Sequence, residues 1–288
     1  MQNKKQLENE VQTLENLSEI IEAYEEIAAM RMRRVKKSVL QNRDFLDGLN
    51  SIYRRVVFSY KKYLKKIKHD KEAGATTLRE TNGKTVSVFL SANTGLYGDI
   101  INKTFDLFMK NIINSPTDTV LVGRLGKSMF DAYGYQRDYK FFELSDAEDE
   151  EKDLNEILDY ILQYTNIVVY HGIFRSVLNQ EPVRSFITGG IFELQEEEES
   201  KYLESIIEPS VEEVAGFFER QILASLFEHS TYESSLSKYA SRMVSLDLAN
   251  ENINEMRDKA DLNLLRQKHR ESNSKQLAAL AGISIWGS

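Results

Sequence analysis

The sequence is 288 residues long, carries a formal net charge of −8 and contains no cysteine. That length allows one large or two small domains, and the missing thiols exclude disulfides, thiolate metal sites and cysteine nucleophiles, as a reducing compartment permits. The acidic balance argues against nucleic acid as the main partner.

Residues 3–70 contain no proline and a single glycine, Gly48. Apolar residues recur at seven-residue steps (Leu7, Leu14, Ile21, Ala28, Val35, then Leu49, Val56, Tyr63). A second set falls four residues after members of the first: Val11, Met32, Val39, Leu46, Tyr53, Tyr60 and Ile67. This spacing predicts one long helix with the seam of a left-handed coiled coil. Ser18, Glu25 and Asn42 interrupt the seam, so a loose one is expected. Charge along the segment is uneven: seven glutamates fall between Glu8 and Glu26, whereas 31–37 reads Arg-Met-Arg-Arg-Val-Lys-Lys.

Residues 71–84, with Gly74, Asn82 and Gly83, read as a linker. The pattern then changes to strand and helix in alternation. Val86–Ser91 is a β-rich run closed by the turn Gly95-Leu-Tyr-Gly98, and a helix is expected from Ile100 to Met109. Thr119–Val122 is a second strand ending at Gly123 and Gly126, with a short helix around Met129–Ala132. Tyr139–Leu144 is a third strand, Leu154–Tyr164 an amphipathic helix and Ile167–Tyr170 a fourth strand. Phe174–Leu178 and Val183–Ile187 are expected as closing strands. Such alternation predicts a small, mainly parallel, Rossmann-like sheet flanked by helices. Asp146–Asp153 and Glu196–Glu199 read as exposed acidic loops.

Glu208-Pro209 opens a last helix, with proline where a missing N–H costs nothing. Between Pro209 and Gly282 only Gly216 interrupts, and a helix of that length would run roughly 110 Å. Its stripe (Leu236, Tyr239, Met243, Leu246, Ile253, Met256, Ala260, Leu264) matches the amino-terminal seam in period. The expected fold is therefore an α/β insert between two long terminal helices that pair as an antiparallel left-handed coiled coil. The parts are 1–70, 76–205 and 206–288.

Few constellations carry chemistry. The four histidines (His69, His171, His229, His269) have no metal-ligand spacing. Gly95-Leu-Tyr-Gly98 after a strand and before a helix admits a phosphate-binding reading. It is not Gly-x-Gly-x-x-Gly, however, and neither it nor Gly123-Arg-Leu-Gly126-Lys-Ser has the P-loop spacing. Glycine in a tight strand-to-helix turn is the competing explanation. The polar amino terminus has no signal-peptide core, and no apolar run approaches the roughly 20 residues that cross a bilayer, so a soluble chain is expected. Arg31, Arg33, Arg34, Lys36 and Lys37 circle the helix as a charged collar, suited either to acidic loops of a surrounding partner or to plain solvation.

Over nearly its whole length the sequence resembles the gamma subunit of F-type ATP synthases. Asn16, Ile20, Ala23, Ile27-Ala-Ala29, Met32 and Arg33 fall without gaps on the family's Asn-Thr-Gln-x-Ile-Thr-x-Ala-Met followed by Val-Ala-Ala. Gly95-Leu-Tyr-Gly98 is similar to its Ser-Asp-x-Gly-Leu-Cys-Gly turn, and Val122-Gly-Arg-Leu-Gly126 to its Gly-x-Lys-Gly loop. Phe174, Gln180 and Pro182 match Tyr-Asn-x-Phe…Gln-x-Pro. Ser237-Lys-Tyr-Ala-Ser-Arg242-Met243-Val-Ser-Leu246 is similar to Ser-Glu-x-x-x-Arg-Met-x-x-Met.

The resemblance implies a central rotor shaft rather than a catalyst, with no catalytic residue, cofactor or metal of its own. The coiled coil would stand in the ring of alpha and beta subunits, and the α/β domain against the epsilon subunit and the c-subunit ring. Low-friction contact inside the ring would suit charged collars, where greasy patches would stick. Arg31, Arg33 and Arg34 would face the beta subunits, and Lys36, Arg242, Met243, Arg270 and Glu271 would join the partner interface. A cytoplasmic location, peripheral to the inner face of the cell membrane, follows. The sequence departs from the family in Glu19, Glu22, Glu25 and Glu26, where the first helix is usually basic, in Asn93, in Gly172-Ile173 and in Lys238. These departures leave room for a specialised paralogue not coupled to proton flow. From the residues alone, a nucleotide-dependent α/β enzyme with a coiled-coil arm and a purely structural scaffold also stay open.

Overall fold

The computed structural model describes residues 4–67, 81–144, 150–188 and 210–286. Glu208-Pro209, Glu196–Glu199, Asp146 and most of the expected linker lie outside them. The elements in order are α1 (Lys4–Ile67), β1 (Thr85–Leu90), α2 (Ile100–Ile112), β2 (Asp118–Val122) and α3 (Arg124–Tyr133). They continue with β3 (Tyr139–Phe142), α4 (Glu150–Ile161), β4 (Asn166–Phe174), β5 (Gln180–Phe186) and α5 (Val211–Trp286). Two compact units emerge: Met1–Met30 with Arg242–Ser288, and Arg31–Ser241.

In the larger unit the sheet order is β3-β2-β1-β4-β5, with β5 alone antiparallel to its neighbour. Parallel strands covered on both faces need near-continuous apolar runs, and β1, β2 and β4 supply them. Alternate residues serve the two faces. Val86, Val88, Leu90, Val120 and Val169 pack with Leu154, Ile157 and Ile161 of α4. Phe89, Leu121, Val168 and Tyr170 pack with Phe105, Phe108 and Ile112 of α2 and Phe130 of α3. Phe174–Leu178 is not a strand. Phe174 ends β4, and residues 175–179 form a hairpin turn in which Ser176 and Asn179 exchange backbone hydrogen bonds. Nor are Glu150–Asp153 loop; they form the first turn of α4.

Within this unit α1 and α5 run antiparallel. Arg31 meets Tyr239, Asn42 meets Glu228, and Leu49 and Tyr53 meet Ile222. The seam of α1 is tighter than its sequence implied: every 3-4 position from Leu7 to Val56 is buried or half-buried, including Ser18, Glu25 and Asn42. Ser18 and Asn42 are each partnered across the helix pair, although Asn42 Oδ1 itself is buried without a partner. Asn42 Nδ2 donates to Glu228 Oε2 at 3.4 Å, and in the smaller unit Ser18 Oγ donates to Asn250 Oδ1 at 2.8 Å. Buried polar pairs of this kind fix register where apolar contacts would slide. On α5, Met256 is 53% exposed and Arg257 takes its place on the stripe.

The middle of α5 is covered on almost every side. Leu223 and Phe227 join the α4 layer while Tyr239 joins the α2 layer. The helix therefore passes from one face of the sheet to the other, and small residues permit the close approach: Ser225, Ser230, Ser234, Ser237, Ala240 and Ser241 are all buried. Gly172 of β4 completes the fit, because a Cβ there would overlap Ser237 Oγ and stand 2.8 Å from Ile100 Cγ1. Gly172→Ala is expected to cost about 1–3 kcal/mol by overpacking. Urea unfolding should show a lower midpoint; a midpoint equal to wild type would mean that α5 can move away freely.

Candidate functional site

In an open α/β sheet, ligands bind beyond the carboxyl ends of the strands where the strand order reverses. Here that point lies between β1 and β4. The turn groups around it are directed inward. Ser91 N–H donates to Val122 O, Leu125 N–H to Ala92 O, and Gly123 N–H to Phe142 O. Asn93 ties three strand ends together, accepting from Arg124 N–H at 3.1 Å and donating to Leu144 O. Gly123 adopts φ 95°, and a Cβ there would stand 2.8 Å from the Ala92 backbone, so the glycine serves the turn itself. Asp99, which precedes α2, sets a carboxylate where a phosphate would have to approach and pairs with Lys103 at 2.7 Å.

The crevice itself is filled by α5. Lys238 Nζ donates to Ser91 O at 2.8 Å, just past the end of β1, and lies 6.0 Å from the Tyr97 ring centroid. Phe174 N–H, at the end of β4, donates to Glu233 Oε2 at 3.3 Å. Ser237, fully buried, lies between them against Gly172. The position that would hold a nucleotide in other doubly wound sheets is a socket for the chain's own helix. Chemically, the arrangement grips a rod at the strand ends.

The collar residues Arg31, Arg33, Arg34, Lys36 and Lys37 are all exposed and are gathered within two turns of α1. Arg31 is held to the larger unit: its Nη1 donates to Tyr239 OH at 3.4 Å, and Tyr239 packs edge-on against Tyr97 at 6.2 Å. Arg33, Arg34 and Lys36 project into solvent. In the smaller unit Arg242 is buried and Met243 half-buried, while Arg270 is exposed and Glu271 half-buried. The 28 positions between Arg242 and Arg270 correspond to about 42 Å of helix. The expected interface residues on α5 are thus two separate places.

A family model described as ATP synthase matches residues 3–272, and curated relatives of the chain are ATP synthase gamma chains. The chain belongs to the ATP synthase gamma-chain family. The gamma chain of Halothermothrix orenii is 22% identical, over 98% of both chains. That of Buchnera aphidicola is 25% identical, over 99% of this chain and all of the other. Among solved structures, a chain from the central stalk and c-ring of the Tetrahymena thermophila mitochondrial ATP synthase has the same fold. Its TM-score is 0.57 at 16% identity, and the match covers 80% of this chain and 99% of that one.

In the smaller unit the outer surface of α1 is divided. On a helical projection of 100° per residue the exposed positions form two flanks beside the seam. One flank is acidic, with Glu8, Glu15, Glu19, Glu22 and Glu26 exposed, and no lysine or arginine occurs between Gln6 and Met30. The other flank is apolar, with Leu17, Ile20, Tyr24 and Ile27 exposed. The exposed apolar flank stands beside the charged surface that the sequence suggested. The signal was present as a second 3-4 repeat, one position ahead of the seam, but a single-seam reading of the helix passes over it. His171 was likewise noted only for lacking metal spacing. It is buried on β4, its Nδ1 donating to Gly172 O at 3.0 Å and its Nε2 accepting from Ser185 Oγ at 2.9 Å.

Proposed function

We propose that the chain is the central rotor shaft of an F-type ATP synthase or ATPase, turning inside a ring of alpha and beta subunits and imposing the order of their catalytic events. The observation that carries this reading is the filled crevice: an α/β domain whose ligand position is taken by its own long helix is built to hold a rod. On this reading the chain is non-catalytic, the ATP chemistry belonging to the ring. Residues 1–70 and 206–288 form the axle, and 76–205 the foot that meets the epsilon subunit and the c-ring. Among the described residues no helix is long and apolar enough to cross a membrane. A place peripheral to the inner face of the cell membrane would therefore come through those partners.

Expression together with the alpha and beta chains tests the reading. One copy of this chain should co-purify with three of each, and a bead fixed to it should rotate when ATP is added. A free, fully folded monomer that ignores the ring would reject it. The enzyme alternative predicts tight calorimetric binding of ATP, GTP or NAD by the isolated chain, and the filled crevice argues against that. The acidic flank of α1 favours, as a second reading, a paralogue fitted to a ring of its own. Such a shaft would fail to assemble with a ring whose usual partner has a basic first helix.

The exposed collar, with Arg270 and the half-buried Met243 and Glu271, is assigned to the ring interface, whereas Arg242 is buried within the chain. The triple variant Arg31→Glu, Arg33→Glu, Arg34→Glu is expected to slow ATP turnover by the assembled complex about tenfold, an effect of ~1.4 kcal/mol on the barrier. Thermal unfolding should barely change, because the side chains of Arg33 and Arg34 are exposed and the Arg31–Tyr239 hydrogen bond is long. An intact complex with unchanged turnover would remove the collar from the interface.

A further inference from the structure

We propose that Lys238 and Glu233 of α5 are the keys that lock the α/β domain to the shaft against rotation, carrying torque between them. This rests on the rotor reading and names the residues through which that rotor transmits force. A helix held only by apolar contacts resists being pulled off a sheet but turns about its own axis with little resistance, because burial is non-directional. Hydrogen bonds are directional, and those with a charged partner are roughly twice as strong as neutral ones.

The chain places two such bonds of opposite polarity at the socket. The Lys238 ammonium takes a main-chain carbonyl beyond β1, and the Glu233 carboxylate takes a main-chain N–H at the end of β4. Both targets are backbone at the ends of neighbouring central strands, which pair in parallel along Thr85–Phe89 and Asn166–Tyr170. They cannot swing away as side chains would. Ser237 falls between the two keys along α5 and is pressed against Gly172, where a Cβ would overlap it, so the helix is also blocked by shape. Turning α5 would have to strain these charged bonds and shift Ser237 from its seat against Gly172. Lys238 and Glu233 are positioning residues: neither touches a reacting group.

The test uses the assembled complex with the full chain. The sequence has no cysteine, so Lys110→Cys, at an exposed position of α2, gives a single attachment point for a bead on the α/β domain. In the double variant Lys238→Met, Glu233→Gln, the angular spread of the bead during pauses is expected to widen at least twofold. Rotation should slip under viscous load, while ATP turnover without a bead stays within twofold of wild type. Lys238→Arg with Glu233 intact keeps a cationic donor and should restore the wild-type spread, which a general loosening of the fold would not do. Unchanged spread and load response in the double variant overturn the locking role, as does a Lys238→Arg variant as loose as Lys238→Met. A wild-type complex that hydrolyses ATP without turning the bead overturns the rotor reading instead, and this inference with it.

Discussion

Phe108→Ala is expected to destabilise the α/β domain by about 3–5 kcal/mol, the usual range for emptying a buried phenylalanine site. Phe108 is fully buried at the centre of the α2 layer. Its ring stacks on Phe89 at 5.2 Å with an 18° interplanar angle, meets Tyr170 edge-on at 5.3 Å and lies 6.4 Å from Phe130. These neighbours come from β1, β4 and α3, so no single element can shift to close the gap. Aromatic pairs of this geometry add to the area term, which places the expectation in the upper part of the range. Urea denaturation followed by circular dichroism should show a markedly lower midpoint. A loss below about 1 kcal/mol would mean that the layer collapses around the cavity and that the aromatic cluster is less tightly determined than its geometry implies.

Such elements were legible in the sequence because one period decides each of them. Val86, Val88 and Leu90 alternate with Phe89 on a strand covered on both faces, and the run announces itself as parallel sheet. The seven-residue recurrence from Leu7 to Val56 announces a seam equally well. Where the reading went astray, a residue served tertiary packing against its local preference. Gly126 looks like a helix breaker, so the helix after β2 was expected only around Met129; α3 in fact starts at Arg124. A Cβ at Gly126 would stand 2.6 Å from Ser91 Cβ and 2.9 Å from Phe89, and glycine is there to let the helix down onto the sheet. Ser18 and Asn42 looked like breaks in the seam for the corresponding reason: their partners, Asn250 and Glu228, are 232 and 186 positions away.

The socket was the least legible part. On α5 the buried face is made of Ser225, Ser230, Ser234, Ser237 and Ser241, which no hydrophobic pattern registers. Two of these hydroxyls are satisfied within the helix itself, Ser230 by Leu226 O and Ser237 by Ser234 O, whereas Ser225 Oγ is buried without a hydrogen-bond partner. The collar could be read because consecutive charges need no partner to be noticed. Lys238 and Glu233 could not, since each acts on backbone about 147 and 59 positions away, and backbone has no signature in sequence.

His171 provides a test of how tightly that socket is closed. Burial lowers its pKa from the ordinary 6.5 to about 4; the Gly172 carbonyl opposes the change and nearby His229 adds to it. The unfolded chain therefore takes up a proton near pH 6.5 that the folded chain refuses until about pH 4. Stability from this group is fully present above pH 6.5, falls as the pH drops through that window, and loses nothing further below pH 4. With the imidazole almost wholly buried, the total loss is about 3 kcal/mol, since each pH step between the two values contributes roughly 1.36 kcal/mol. Urea midpoints measured at intervals from pH 7 to pH 4 should fall for the wild type beyond the decline carried by its carboxylates. In His171→Gln, whose amide can still reach Ser185 but does not titrate, the extra fall should vanish although the absolute stability at pH 7 is lower. Parallel curves for the two proteins would mean that water reaches the ring, and that α5 and β5 do not seal β4 as the structure has them.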